Sequence, residues 1–279
     1  MSKGHVFVAQ QSSVDYIRQA YALALSIKLH NKEHNQTCLI TNDEVLDEYK
    51  HAFDYIIPIP WTDLADFSSW KIENRWKVIH ATPFDENIVY DADMLLLNSN
   101  DHWWPYLEKH DVLLSSSVVN YRNNNITSDY YRKTFTANNL PNVYVGVFYF
   151  RKITFAFEFF KWLEIITANW QDFYKLHLKN SPQKFVSMDV NAALAVKMMD
   201  CEHLVTVKNT KIPSFTHMKP GIQGWTTVPP KWTYVLNSYF DKDCGLKVGN
   251  FRQQGIFHYT EPEFLEDHMI EKLRNATNE

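Results

Sequence analysis

Between the apolar runs Ile88-Val89-Tyr90 and Met94-Leu95-Leu96-Leu97 the chain carries Asp91-Ala92-Asp93. Such a run belongs in a protein interior, where a carboxylate without a partner is costly. Whatever this chain folds into must bring something positive to two acids at the end of a buried strand. If the extended conformation continues through them, both side chains point to the same side.

The surrounding pattern says what kind of interior this is. Val6-Phe7-Val8-Ala9 is a short apolar run, followed after Ser12 and Ser13, either of which can act as cap, by helical spacing over residues 14–29. Thr37-Cys38-Leu39-Ile40-Thr41 and Tyr55-Ile56-Ile57 are β-branched or apolar and bounded by turns, with a helix expected over 44–51 between them. A helix over 71–81 leads into the strand Asn87-Ile88-Val89-Tyr90. Strands alternating with helices at these lengths argue for an α/β protein with βαβ units and parallel strands covered on both faces. Further strands are expected at 111–115 and 143–150, with helices over 154–178, 188–199 and 263–274. Beyond Asp200, short strands and prolines make an irregular final third.

Composition narrows the classes. With 45% hydrophobic residues in 279, the chain has material for a real core. Lys and Arg total 28 against 32 Asp and Glu, without a basic run, so nucleic acid is not an expected partner. Seven glycines build neither G-x-G-x-x-G nor G-x-x-x-x-G-K-[ST], and H-E-x-x-H and G-x-S-x-G are absent. Any phosphate handled here is expected to be held through a metal. Cys38, Cys201 and Cys244 are odd in number and far apart, which fits reduced thiols and a cytoplasmic place. The start MSKGHVFVAQQ lacks a signal-peptide pattern, and no window reaches the roughly 18 apolar residues of a membrane span.

Asp91 and Asp93 sit where open α/β sheets place their ligands, at the C-terminal end of a strand. Two hard oxygen donors there suit Mn²⁺ or Mg²⁺; the other reading is a pair of strand-end acids capping backbone amides. A second D-x-D, Asp241-Lys242-Asp243, lies in a polar turn-like segment and is expected to be a solvated loop.

The segment Asn87-Ile-Val-Tyr-Asp-Ala-Asp-Met-Leu-Leu-Leu resembles the D-x-D strand of the GT-A nucleotide-sugar glycosyltransferases, in particular the glycogenin-like group, glycosyltransferase family eight. Residues 81–86 occupy the place of that family's turn before the strand. Phe7-Val8-Ala9-Gln10-Gln11-Ser12-Ser13-Val14-Asp15-Tyr16 is similar to its F-V-T-x-x-x-x-x-x-Y stretch. Val143 to Phe150 resembles its N-S-G-V-F-V-F strand, with Tyr144 and Val145 in place of Asn and Ser. Ser187-Met188-Asp189-Val190-Asn191 resembles its D-Q-x-x-x-N helix start, with Val190 in place of Gln. The resemblance covers residues 5–262.

It implies a single GT-A (Rossmann-like) domain over 1–279, with a mixed, mainly parallel sheet flanked by helices. Residues 1–110 would form the nucleotide-binding half, 111–262 the acceptor and sugar half, and 263–279 a C-terminal helix. It implies a metal-dependent hexosyltransferase that takes a UDP-sugar as donor and a glycan, lipid or protein hydroxyl as acceptor, with retention of configuration. The metal, Mn²⁺ or Mg²⁺, would be held by Asp91, Asp93 and a late histidine, His258 in Ile256-Phe257-His258-Tyr259, with His217 as the competitor. Ala9, Gln10 and Tyr16 would line the nucleoside site, Tyr16 otherwise packing its helix on the sheet. Arg75 and Lys77, unless they are solvated helix charges, and Lys219 would supply cations for the diphosphate. Asp189 would stand near the sugar and attacking hydroxyl, or else cap its helix. Among Trp70, Trp76, Trp103, Trp104, Trp225 and Trp232, most are expected in the core and Trp225 against sugar. The same residues allow a non-catalytic nucleotide-sugar binder, or a transferase acting on nucleic acid.

Overall fold

Period-two alternation along the strands accounts for the layering. In the computed structural model, which describes residues 1–65, 71–126, 132–181, 183–207, 210–220 and 228–278, the first seven strands are β1 (Lys3–Val8), β2 (Thr37–Ile40), β3 (Tyr55–Ile57), β4 (Glu86–Tyr90), β5 (Met94–Leu96), β6 (Val112–Ser115) and β7 (Tyr144–Arg151). Phe7, Leu39, Ile88, Tyr90, Leu113 and Tyr149 face one apolar layer. Their neighbours Val6, Cys38, Val89, Leu114 and Phe150 face another. A strand apolar on both sides must be covered on both sides. Helices Tyr16–His30 and Asp267–Asn278 belong to the first layer, Thr154–Ala168 and Met188–Met198 to the second.

Six of these strands form one sheet in the order β3-β2-β1-β4-β7-β6. β1, β2, β3 and β4 pair in parallel; β7 runs antiparallel to both β4 and β6. The sheet thus joins strands from residues 1–110 with strands from 111–262. The remaining strands are β8 (Thr216–His217), β9 (Ser238–Phe240), β10 (Leu246–Val248), β11 (Phe251–Arg252) and β12 (Ile256–His258). They build two three-stranded sheets, β5-β12-β8 and β11-β10-β9. Among the described residues, no helix is long and apolar enough to cross a membrane. Cys38, Cys201 and Cys244 are all buried.

Several local expectations are corrected. The extended chain does not run through Asp91-Ala92-Asp93: β4 ends at Tyr90, residues 91–93 bend, and β5 joins a different sheet. The reason is pairing, since Asp91 N–H donates to the Gly146 carbonyl at 2.8 Å while the Asp93 carbonyl accepts from Tyr259 N–H at 3.2 Å. Asp15, not Ser12 or Ser13, caps the first helix, its carboxylate accepting the Arg18 N–H at 2.9 Å. The helix expected over 44–51 is the single turn Asp47–Lys50, and that over 71–81 is reduced to a 3-10 turn Arg75–Lys77 followed by Val78–Ala81. The stretch 154–178 is two helices, Thr154–Ala168 and Trp170–His177.

One buried group ties fold stability to pH. His5 on β1 is fully buried, its Nδ1 2.9 Å from the Tyr90 hydroxyl and its Nε2 2.8 Å from the His34 carbonyl. A carbonyl only accepts, so Nε2 carries the proton and Nδ1 accepts from Tyr90 in a neutral ring. Burial lowers its pKa to about 4, from 6.5. The unfolded chain therefore binds a proton that the native state refuses between those values, and stability falls as pH drops from 6.5 towards 4. The loss from this group amounts to about 3 kcal/mol. Urea unfolding of the protein and a His5→Gln variant from pH 7 to 4.5 checks this: the variant is expected to show the shallower slope.

Candidate active site

The switch of the chain from one sheet to another assembles the site. β5 pairs antiparallel with β12 so that Met94 lies opposite His258, and β12 pairs parallel with β8 so that His258 lies opposite His217. The two acids of the bend thereby meet the histidine at the end of β12. One ligand atom from each of Asp91, Asp93 and His258 lies within 4.8 Å of the others, the only such acid and histidine group among the described residues. His258 Nε2 is 3.0 Å from Asp93 Oδ2, and its buried Nδ1 has no hydrogen-bond partner. The His217 ring stacks on the His258 ring, centroids 4.6 Å apart.

These groups line a cleft of about 300 Å³ with Ala9, Gln10, Tyr16, Arg75, Asp189 and Lys219. Arg75 forms an ion pair with Asp91, and its Nη2 also donates to the Val145 carbonyl at 3.1 Å. Burial lifts the Asp91 pKa above the usual carboxylate range, against the pull of Arg75 and His258. At Asp93 burial acts the same way, but the adjoining His258 outweighs it and holds the carboxyl below that range. Burial opposes the imidazolium at His258, and Asp93 overrides it and raises its pKa. Two carboxylates and an imidazole brought this close together form a donor set that suits a divalent metal.

Gly146 on β7 explains why the strand can pass so close. A Cβ there would stand 3.0 Å from Asp91 Oδ2 and from Met94 Cε, and 3.2 Å from the Phe215 ring. Gln10 is fixed from behind, donating to Asp63 Oδ2 at 2.6 Å and accepting from Asn74 Nδ2 at 2.9 Å. Tyr16 opens the first helix, packs on the core and lines the cleft.

Two expectations change here. Lys77 is not a lining residue; it is 2% exposed, and its ammonium donates to the Thr62 carbonyl, because the 3-10 turn aims consecutive side chains apart. Asp189 does not cap its helix: Ser187 holds the cap position, and Asp189 Oδ1 accepts the Val145 N–H at 2.9 Å. Its Oδ2 accepts from Arg132 Nη1 at 2.8 Å. Arg132 also donates to Asn142 Oδ1 at 3.0 Å and to the Val143 carbonyl. Its guanidinium lies between the rings of Phe135 and Tyr144, at 3.6 and 3.8 Å. Nothing in the sequence around Arg132 marks it, since its polar partners come from residues 142–143 and 189, away from it in the chain.

Val190, where the resembled motif has Gln, is 1% exposed and packs in the second layer. Trp76, Trp103, Trp104 and Trp232 are buried as expected; Trp70 and Trp225 lie outside the described residues. Asp241 behaves as a turn residue, accepting from the Asp243 and Gly245 amides at 3.1 and 2.8 Å.

A six-stranded, mainly parallel sheet with one reversed strand, flanked by helices and leading through an Asp-Ala-Asp bend into a second small sheet, is the GT-A fold of glycosyltransferases. No protein-family model and no curated protein matches the chain. Solved structures do. The galactosyltransferase LgtC, in complex with donor and acceptor sugar analogues, is similar over 99% of this chain and 95% of its own, with TM-score 0.56 and 14% identity. The glycosyltransferase GlyE of Streptococcus pneumoniae TIGR4 aligns over 99% of this chain and 60% of its own, at 13% identity and TM-score 0.48. Mouse xyloside xylosyltransferase 1 aligns over 74% of this chain and 84% of its own, at 6% identity and TM-score 0.45. At these identities the likeness establishes the fold, and the chemistry must be argued from the site.

Proposed function

We propose that this protein is a metal-dependent glycosyltransferase that moves a hexose from a UDP-sugar to an acceptor hydroxyl with retention of configuration. The observation that carries the reading is the convergence of Asp91, Asp93 and His258 in a cleft at the C-terminal end of β4. Those three residues would hold Mn²⁺ or Mg²⁺, which when bound supplies Lewis-acid stabilisation of the leaving diphosphate. The chain's own groups do the rest. Ala9, Gln10 and Tyr16 border the nucleoside, with Tyr16 offering its ring to the base. Arg75 stands beside Asp91, where a guanidinium stabilises charge that develops as the glycosidic bond breaks, and Lys219 adds a second cation. Asp189 faces the place of the sugar. Both of its oxygens accept hydrogen bonds, from Val145 and Arg132, which orients the carboxylate and weakens it as a nucleophile. This supports a positioning role in front-face attack. The acceptor is a hydroxyl of a glycan, lipid or protein.

Thermal unfolding with UDP, GDP or CDP, each with and without Mn²⁺, tests the donor site. UDP with Mn²⁺ at about 100 times its dissociation constant is expected to stabilise the protein by about 2.7 kcal/mol. UDP without the ion should stabilise it far less. A UDP-sugar panel then separates an enzyme from a binder: saturable binding without hydrolysis or transfer would assign the protein as a non-catalytic nucleotide-sugar receptor. Absence of any metal-dependent shift would overturn the metal assignment itself.

A further inference from the structure

Outside the cleft, a second cavity of about 430 Å³ is lined by Trp61, Trp76, His80, Phe157, Lys161 and Glu164. Trp61 follows β3 with φ +61°, a conformation that non-glycine residues adopt at a cost, and presents 65% of its surface to solvent. It stacks on Trp76, rings 5.9 Å apart and 22° from parallel, and meets His80 edge-on at 4.9 Å. Phe157, 41% exposed, extends the apolar wall. The polar groups are neutral in sum: Lys161 and Glu164 pair at 2.8 Å, and burial lowers the His80 pKa, which favours the uncharged ring. Trp76 is 5% exposed, and its indole N–H is a buried donor with no protein acceptor.

We propose that this cavity binds a neutral sugar unit of a glycan. Flat aromatic faces pack against the C–H faces of a pyranose, and an imidazole and a Lys–Glu pair at the rim offer both donors and acceptors to its hydroxyls. A phosphorylated or acidic ligand would need a cation that is not already neutralised, and the one here, Lys161, pairs with Glu164. The volume is in the range of about 300–1,000 Å³ typical of small-ligand sites. Trp76 is the neighbour of Arg75 on one 3-10 turn, so the outer site and the catalytic cleft flank the same turn.

The test is direct binding, without donor or metal, so that its result is separate from the transferase reading. Arrays of neutral gluco-, galacto-, manno- and xylo-oligosaccharides, with an anionic set beside them, are probed with the intact protein and with Trp61→Ala and Trp61→Tyr. The expected result is retention of a subset of neutral glycans, at least about ten-fold weaker binding by Trp61→Ala, and near-normal binding by Trp61→Tyr. Equal melting of all three proteins shows that the surface, not the fold, was changed. Three results would overturn the proposal: no neutral glycan retained, undiminished binding by Trp61→Ala, or sedimentation showing self-association that Trp61→Ala abolishes.

Discussion

Replacing Asp91 and Asp93 together by Asn is expected to lower metal-dependent transfer or donor hydrolysis by at least about 10³-fold while leaving the protein folded. Asn keeps the shape and some hydrogen bonding of Asp but neither its charge nor its strength as a ligand for a hard cation. The partners left behind are Arg75 and His258; Arg75 keeps its bond to the Val145 carbonyl, and burial favours the neutral ring of His258 once Asp93 no longer carries a charge, so the change strands little buried charge. The Asp91 main-chain bond to Gly146 and the Asp93 carbonyl bond to Tyr259 do not involve the side chains and should persist. Two measurements decide the matter: titration of UDP-Mn²⁺ binding, expected to vanish, and urea unfolding, expected to change little. Undiminished turnover in the double variant would return the two acids to a purely structural role.

Arg132→Ala should act in the opposite way, chiefly on stability. The Arg132 side chain is 5% exposed and its Asp189 partner 17%, so truncation leaves a largely buried carboxylate facing an empty sandwich between Phe135 and Tyr144. Removing one partner of such a pair costs about 3–5 kcal/mol, with the lost cation–π contact included in the observed total. For a chain of this size that shifts a urea midpoint by about 1 M or more. A double-mutant cycle with Asp189→Asn isolates the pair: the second substitution should cost much less in the Arg132→Ala background than alone. Independent, additive losses would show that Arg132 stabilises the fold without holding Asp189.

The comparison of sequence and structure divides along the range of the interactions. Strand identity in β1, β2, β4 and β7 was legible, because each contains at least three consecutive apolar residues and only a sheet covered on both faces buries both sets of side chains. The long helix Tyr16–His30 was legible from its periodicity. The short helices were not, since four-residue turns such as Asp47–Lys50 carry no periodic signal and are set by their neighbours. The resemblance also brought Asp91, Asp93 and His258 together on paper.

Why these three meet is a tertiary fact. An extended Asp-Ala-Asp would set both side chains on one side; the chain instead bends there to leave the main sheet, and the pairing of β5 with β12 delivers the histidine. The burial of Lys77 away from the cleft and the recruitment of Arg132 to Asp189 likewise depend on segments far apart in the chain. The amino-acid sequence by itself determined the layered α/β interior and the presence of two acids at a strand end, because burial pattern and residue chemistry are local. Only the tertiary structure decided which cations face those acids and where Trp61 stands, because long-range pairing orients side chains that no local spacing can aim.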